Sequence, residues 1–519
     1  MRDCVIIGGG HNALVAAFYL ARGGLKPLVL EGRAAVGGGA ITGEIHPGFQ
    51  CPTLSHEVLL HERIARDMDL ARHGLELIRS DVDTCALADA APPLVLYEDD
   101  ARTVEALRRT HARDAEGYIA YRAAVREVAS VLSGVLEAPP PDIDRPSAAD
   151  LWNLLKAGRR FRSLGRRGGY RLLRWAPMPV ADLVAECFDS EILRAAIAAP
   201  GLSGTMFGPR SAGSALVLLM RAAHRQLAGG RRVQVRGGPG ALTRALAAAA
   251  TAAGATIRTH APVERIVITG GRAAAVVVDG ETIDAARVIS AVDPKTTFLR
   301  LIDPMDLMPD FASKLRNYRA AGTVAKINLA LSALPAFGVD QTSLAGRIHI
   351  GPEMDYLERA FDHAKYGELS SAPWLDMTLP SILDPGLAPA GAHVGSIYVH
   401  YAPYRLRSGD WISAREPLLE MTLRVLERHA PGIRRQVVAA QVITPADLEA
   451  TYGMAGGHIF HGELALDQMF TMRPLLGYAR YATPVAGLFL CGAGTHPGGF
   501  LTGASGRLAA RAILAARQV

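Results

Sequence analysis

The 519-residue sequence predicts an α/β protein. A parallel nucleotide-binding sheet is expected to form from separate parts of the chain, interleaved with an α+β region. Three observations carry this expectation. Near the N-terminus, Arg2-Asp-Cys-Val-Ile-Ile-Gly8-Gly-Gly10-His-Asn-Ala13 reads as a strand, a tight glycine turn and the start of a helix. Near the C-terminus, Gly487 to Cys491 reads as a buried strand, followed by a glycine-rich loop and a helix from about Gly503. Between them, short apolar or alternating strands recur from Thr256 to Ala291. Gly270-Gly271 and Asp279-Gly280 punctuate them as tight hairpin turns.

The first elements can be justified residue by residue. Gly8-x-Gly10-x-x-Ala13 has the spacing of a dinucleotide fingerprint. Gly8 allows the turn, Gly10 lets a pyrophosphate approach, and Ala13 is small enough for helix to pack on strand. Asn12 opens an amphipathic helix that runs to Ala21. Pro27 to Leu30 forms a second strand ending on Glu31, where an acid meets ribose hydroxyls, and Gly32 follows it. Gly37-Gly38-Gly39 make a second glycine turn, typical of FAD enzymes, with Gly38 and Gly39 passing the pyrophosphate. The C-terminal loop adds Gly492, Leu501, Thr502 and Gly503. It offers bare backbone and a helix N-terminus, with unpaired N–H groups and roughly half a positive charge. The two ends together read as one flavin site.

The segments divide accordingly. Residues 1–75, 226–300 and 485–519 are expected to be three parts of a Rossmann-type FAD-binding domain. Residues 76–225 read as a helical substrate or lid part with few strands. Residues 301–484 complete an α+β substrate domain.

Composition narrows the class. No run reaches 18 apolar residues despite a mean hydropathy of +0.15, so no transmembrane helix is expected. The first strand begins at residue 3, which leaves no room for a signal or transit peptide and suggests a cytoplasmic protein. Five scattered cysteines without a C-x-x-C exclude a zinc ribbon and a vicinal redox disulfide. The net charge of +6 comes from dispersed arginines, which does not indicate nucleic-acid binding. One cluster is denser. Leu151 to Trp175 carries Lys156, Arg159, Arg160, Arg162, Arg166, Arg167, Arg171 and Arg174, no acid, and interleaved Trp152, Phe161, Tyr170 and Trp175. Peripheral contact with an anionic membrane is one reading. A solvated helix pair over the substrate domain, turning at Gly165, Gly168 and Gly169, is the other and the favoured one.

The chain resembles the flavin monoamine oxidase and phytoene desaturase superfamily, in its phytoene dehydrogenase-like branch. The resemblance spans nearly the whole chain. It includes Gly8 to Leu14, Val36 to Thr42, Arg236-Gly-Gly-Pro-Gly240, Val263-Glu-Arg-Ile266 and Ser290-Ala-Val-Asp-Pro294. It continues through Gly457-His-Ile-Phe-His-Gly-Glu463, Asp467-Gln468, Arg473-Pro474 and Cys491 to Arg507. It implies FAD, a lid-like substrate domain, and oxidation of C–C or C–N bonds in rather apolar substrates. It also implies that Val263 meets adenine through its backbone. In the resembling amine oxidases a strand lysine holds a water near flavin N5. Lys326 is the corresponding candidate, an exposed strand lysine being the other reading. Phe500 stands where the branch has a glycine beside the flavin, and so reshapes the substrate face.

His496 is a candidate acid–base group, with loop packing as the alternative. His458 and His461 form an H-x-x-H near Glu463, but Gly456-Gly457 argue against a helix there. They are expected to line the substrate pocket, and no metal site is expected. The expected reaction is hydride transfer from a substrate C–H to flavin N5, with oxygen or a quinone as acceptor. No second dinucleotide fingerprint follows residue 70. An amine oxidase and a non-catalytic FAD-containing binding protein are the alternatives. The sequence is compatible with a homo-oligomer.

Overall fold

In a computed structural model, which describes residues 2–89 and 92–516, the two ends of the chain meet in one sheet. Residues 1, 90, 91 and 517–519, within the expected segments 1–75, 76–225 and 485–519, lie outside the described residues. Strands Cys4–Ile7, Pro27–Leu30, Thr256–Arg258, Val288–Ser290 and Leu488–Leu490 are all parallel. Their spatial order is 488–490, 288–290, 4–7, 27–30, 256–258. The order reverses at the first strand, where open α/β sheets form a ligand crevice at the carboxyl ends of their strands.

The alternation along Cys4-Val-Ile-Ile7 explains both faces of this sheet. Cys4 and Ile6 pack with Leu14 of the helix His11–Arg22, Leu246 of the helix Pro239–Ala252, and Leu508 of the helix Ala504–Ala515. Val5 and Ile7 pack with Val276 and Phe298 on the opposite face. Val276 lies in the antiparallel sheet of Val263–Thr269, Arg272–Val278 and Glu281–Asp284. Covered on both sides, the strand must be apolar throughout. Both expected hairpin turns are present, with φ of 58° and 75° at Gly270 and Gly271, and 50° and 73° at Asp279 and Gly280.

A second, seven-stranded sheet has the order 437–443, 324–331, 393–400, 375–378, 347–350, 82–87, 94–97. Only the contact between 347–350 and 82–87 is parallel. The part from 76 to 225 therefore contributes strands as well as helices: Leu77–Arg79, Val82–Leu87 and Leu94–Tyr97. They are short, and Leu94–Tyr97 directly follows Pro92-Pro93, which hides their periodicity in the sequence. The remainder of that part is helical and buries its own core, with Tyr121, Val128, Phe188, Leu193 and Leu219 at its centre.

The basic segment forms two helices, Ala148–Ser163 and Gly165–Trp175. The break is at Leu164–Gly165, with φ of 65° at Gly165. Gly168 and Gly169 are not part of a turn. They lie inside the second helix, where a β-carbon would meet the Glu127 carboxylate at 2.9 Å and the Phe161 ring at 3.3 Å. Their smallness lets the helix lie close to its neighbours. Leu151, Trp152, Leu154, Leu155, Tyr170 and Leu173 all point to solvent. Among the described residues no helix is long and apolar enough to cross a membrane.

Candidate active site

A cleft of about 1550 Å³, counted to its open mouth, begins at the carboxyl ends of strands 4–7 and 27–30. Gly8 turns the chain with φ of 90°, and Gly10 is the N-cap of the helix that follows. The main-chain N–H of Gly9 donates to Glu31 Oε2 at 2.8 Å, and that of Arg33 donates to Oε1 at 3.0 Å. The carboxylate is thereby fixed at the wall of the cleft. The second glycine turn lies directly on the first. Gly37 N–H donates to Gly9 O at 2.9 Å, and a β-carbon on Gly38 would stand 3.0 Å from Gly10 Cα. Bare backbone on two sides, a helix N-terminus and an adjacent carboxylate suit a dinucleotide, whose phosphates the N–H groups would meet and whose ribose the acid would hold.

The expected cofactor residues Gly8, Gly10, Asn12, Ala13, Glu31, Gly32, Gly38, Gly39, Val263 and Leu501 all line this cleft. Gly492, Thr502 and Gly503 are not among the residues that line it. Gly492 runs against the Ala291 carbonyl, where a β-carbon would come within 2.4 Å of the oxygen. Thr502 Oγ1 accepts from the N–H of Ala504, the first residue of the last helix, at 3.2 Å. Gly503, with φ of 74°, packs on Val15 and Ile64.

The far end of the cleft is apolar and aromatic, lined by Leu54, Tyr398, Ile459, Phe460 and Phe500. Phe500 and Phe460 are 5.0 Å apart between ring centroids, and the Arg221 guanidinium lies 5.2 Å from the Phe500 ring. Arg221 pairs with Glu57, and both line the cleft. Their separation of 164 residues leaves no pattern in the sequence.

The expected chemical residues are placed unequally. His461 lines the cleft beside His11. Burial holds both below the ordinary histidine pKa, His11 at about 4. His458 is turned inward: its Nδ1 accepts from Phe460 N–H at 3.2 Å, and its Nε2 lies 3.8 Å from the Glu463 carboxylate. Lys326 is neither exposed nor on the cleft. It lies across the sheet ladder from Tyr398, and its Nζ donates to Asn328 Oδ1 and, at 2.7 Å, to Ser396 Oγ. Burial lowers its pKa to about 8. His496 also lies off the cleft, 6.4 Å from the Phe470 ring, and burial depresses it to about 4. Among the described residues no three His, Cys, Asp or Glu side chains cluster as metal ligands.

Arg473 has a role that the sequence alone does not assign. Fully buried, its guanidinium donates to the carbonyls of Phe460, Glu463 and Ala493 at 2.8–3.0 Å. It thus ties the aromatic wall to the C-terminal loop.

A double glycine turn with a carboxylate fixed beside it, opening into a pocket with aromatic walls, is an arrangement that suits a flavin-dependent oxidoreductase. The chain matches the model of the flavin containing amine oxidoreductase family over residues 181–514, and that of the NAD(P)-binding Rossmann-like domain over residues 6–67. It belongs to the flavin amine oxidase and phytoene desaturase superfamily. It is 36% identical to the rat pyridine nucleotide-disulfide oxidoreductase domain-containing protein 2, covering 98% of this chain and 93% of the relative. It is 27% identical to one of the limonene dehydrogenase subunits of Castellaniella defragrans, covering 98% and 94%. A solved putrescine oxidase, bound to putrescine, has the same fold, with a TM-score of 0.62 at 16% identity over 100% of this chain and 99% of that one.

Proposed function

We propose that this protein is an FAD-dependent dehydrogenase that oxidises a C–H bond of a largely apolar substrate, with oxygen or a quinone as the electron acceptor. The observation that carries the reading is the continuity of the cleft, from the paired glycine turns at Gly10 and Gly38 to the wall of Tyr398, Phe460 and Phe500. When bound, FAD supplies the hydride acceptor. Glu31 would hold its ribose, the turns its pyrophosphate, and Val263 its adenine. The aromatic wall excludes water and orients an apolar substrate by burial, at about 25 cal/mol per Å². His461 and His11, both held neutral by burial, are the cleft histidines suited to accept a proton. Lys326, whose Nζ lies 5.8 Å from the centroid of the cleft-lining Tyr398 ring, would act on the site through that ring. The limonene dehydrogenase relative supports an apolar substrate class.

The sequence supports this choice of acceptor. No second dinucleotide fingerprint appears in the sequence, and all five cysteines are free thiols. The purified protein is mixed without oxygen, first with NADPH and then with apolar donors bearing an activated C–H. The flavin is expected to bleach with such a donor and not with NADPH. Rapid bleaching by NADPH overturns the reading. Peroxide released from amines alone makes it an amine oxidase, and a flavin that no donor reduces makes it a binding protein.

The helices 148–163 and 165–175 support a reaction at an anionic lipid surface. Six large apolar side chains point outward, beside Lys156, Arg159, Arg162, Arg166 and Arg167, which have no acid partner among the described residues. A merely solvated pair would turn its apolar side inward. This one matches the boundary between lipid headgroups and acyl chains.

A further inference from the structure

A second cavity, of about 830 Å³ counted to its mouth, lies beyond the Arg221–Glu57 pair, and both residues also line the main cleft. Its walls combine apolar and aromatic side chains, among them Leu59, Tyr118, Tyr121 and Leu218, with five arginines. Four of these have acid partners. Arg221 pairs with Glu57, Arg225 with Asp83 at 2.8 Å and with Glu98, Arg347 with Asp376 at 3.3 Å, and Arg122 with Asp100 at 2.9 Å. Both carboxylates of the cavity wall, Glu57 and Asp83, are therefore already engaged.

The fifth is Arg232. Its backbone is pinned, its N–H donating to Glu98 Oε1 at 2.9 Å. Its guanidinium has no hydrogen-bond or ion-pair partner among the described residues. Burial pulls its pKa below the ordinary guanidinium value, and nearby Arg347 and Arg225 work in the same direction against the attraction of Glu57 and Asp83. A half-buried guanidinium that lines a cavity without a protein partner leaves its donors free for an anion. The guanidinium fork suits a carboxylate, which it can bind through two parallel hydrogen bonds.

We propose that this cavity binds the carboxylate of the substrate, so that the substrate is an amphipathic acid. Its apolar chain would lie along the aromatic wall of the main cleft, and its anionic end would pass the Arg221–Glu57 pair to meet Arg232. This rests on the oxidoreductase reading above and names the class of molecule oxidised.

The test uses the flavin-loaded full-length protein. Decanoate and 1-decanol, which share a chain and differ in charge, are titrated while the visible flavin band is followed. Decanoate is expected to bind at least about ten-fold more tightly than decanol. Arg232→Gln should remove that preference, and Arg232→Lys should keep part of it. Equal affinities in the wild type, or an unchanged preference in Arg232→Gln, overturn the inference and leave the oxidoreductase reading standing. If Arg232→Gln fails to fold, the wild-type comparison decides alone. A protein that purifies without flavin overturns the oxidoreductase reading and this inference with it.

Discussion

Gly506 crosses Asn12 so closely that a β-carbon on Gly506 would fall 2.0 Å from the Asn12 carbonyl oxygen. The helices 11–22 and 504–515 are thus in backbone contact. The Gly506 N–H also faces Asn12 Oδ1 at 3.4 Å. Gly506→Ala should force the helices apart. The expected cost is about 1–3 kcal/mol in stability from overpacking, together with weakened flavin retention, because Asn12 lines the cleft. Denaturation midpoints and the flavin-to-protein absorbance ratio check both parts. An unchanged ratio would separate the crossing from the site.

Gly10→Val tests the nucleotide end. The only atom within 4 Å of a β-carbon at Gly10 is Gly38 Cα, at 3.7 Å, so a branched side chain would project into the phosphate space. The protein should fold and purify colourless. Full flavin content in this variant would show that the double turn does not hold the cofactor.

Lys326 gives a pH signature. Its pKa is about 8 in the folded protein against an ordinary 10.5. Below pH 8 both states are protonated and the buried charge is a constant penalty. Between pH 8 and 10.5 the folded state has released a proton that the unfolded chain still holds. Stability from this group therefore rises with pH, by about 3 kcal/mol across the window. Other groups titrate there, so the measured quantity is the stability difference between wild type and Lys326→Met. That difference should move in favour of the wild type as the pH is raised. A flat difference would place the lysine in a better-solvated setting.

The outward apolar face of helices 148–163 and 165–175 should bind vesicles that contain phosphatidylserine. Salt should release it, because exposed charges are screened beyond about 8–10 Å. Replacing Trp152 and Leu155 with serine should weaken sedimentation by about ten-fold or more, since each buried apolar side chain contributes about 1.5–3 kcal/mol. Equal sedimentation with neutral vesicles would remove the electrostatic part of the argument.

The nucleotide half of the site is legible in the sequence because its chemistry is local. Gly8, Gly10, Glu31 and Gly38 carry their roles within about forty residues, through glycine spacing and strand patterning. The substrate half is not. Tyr398, Phe460, Glu57 and Arg221 reach one cleft from distant segments, and no period in the sequence links them. Lys326 illustrates the limit. Its strand is evident from the alternation, but an alternating pattern does not say which face meets a cleft and which meets the interior of a sheet. Arg473 shows another gap: a buried guanidinium serving only main-chain carbonyls has no sequence partner to reveal it.

The parallel sheet draws its strands from residues 4–30, 256–290 and 488–490. During synthesis its middle and first strands can pair early, but one edge and a covering helix must wait for residues 488–515. Nascent chains that stop before Leu488 would expose an unpaired strand edge at 288–290, the kind of surface that invites aggregation or chaperone capture. Cofactor loading is thereby tied to this closure: only a chain that has emerged through Leu501 has all the residues that line the cleft.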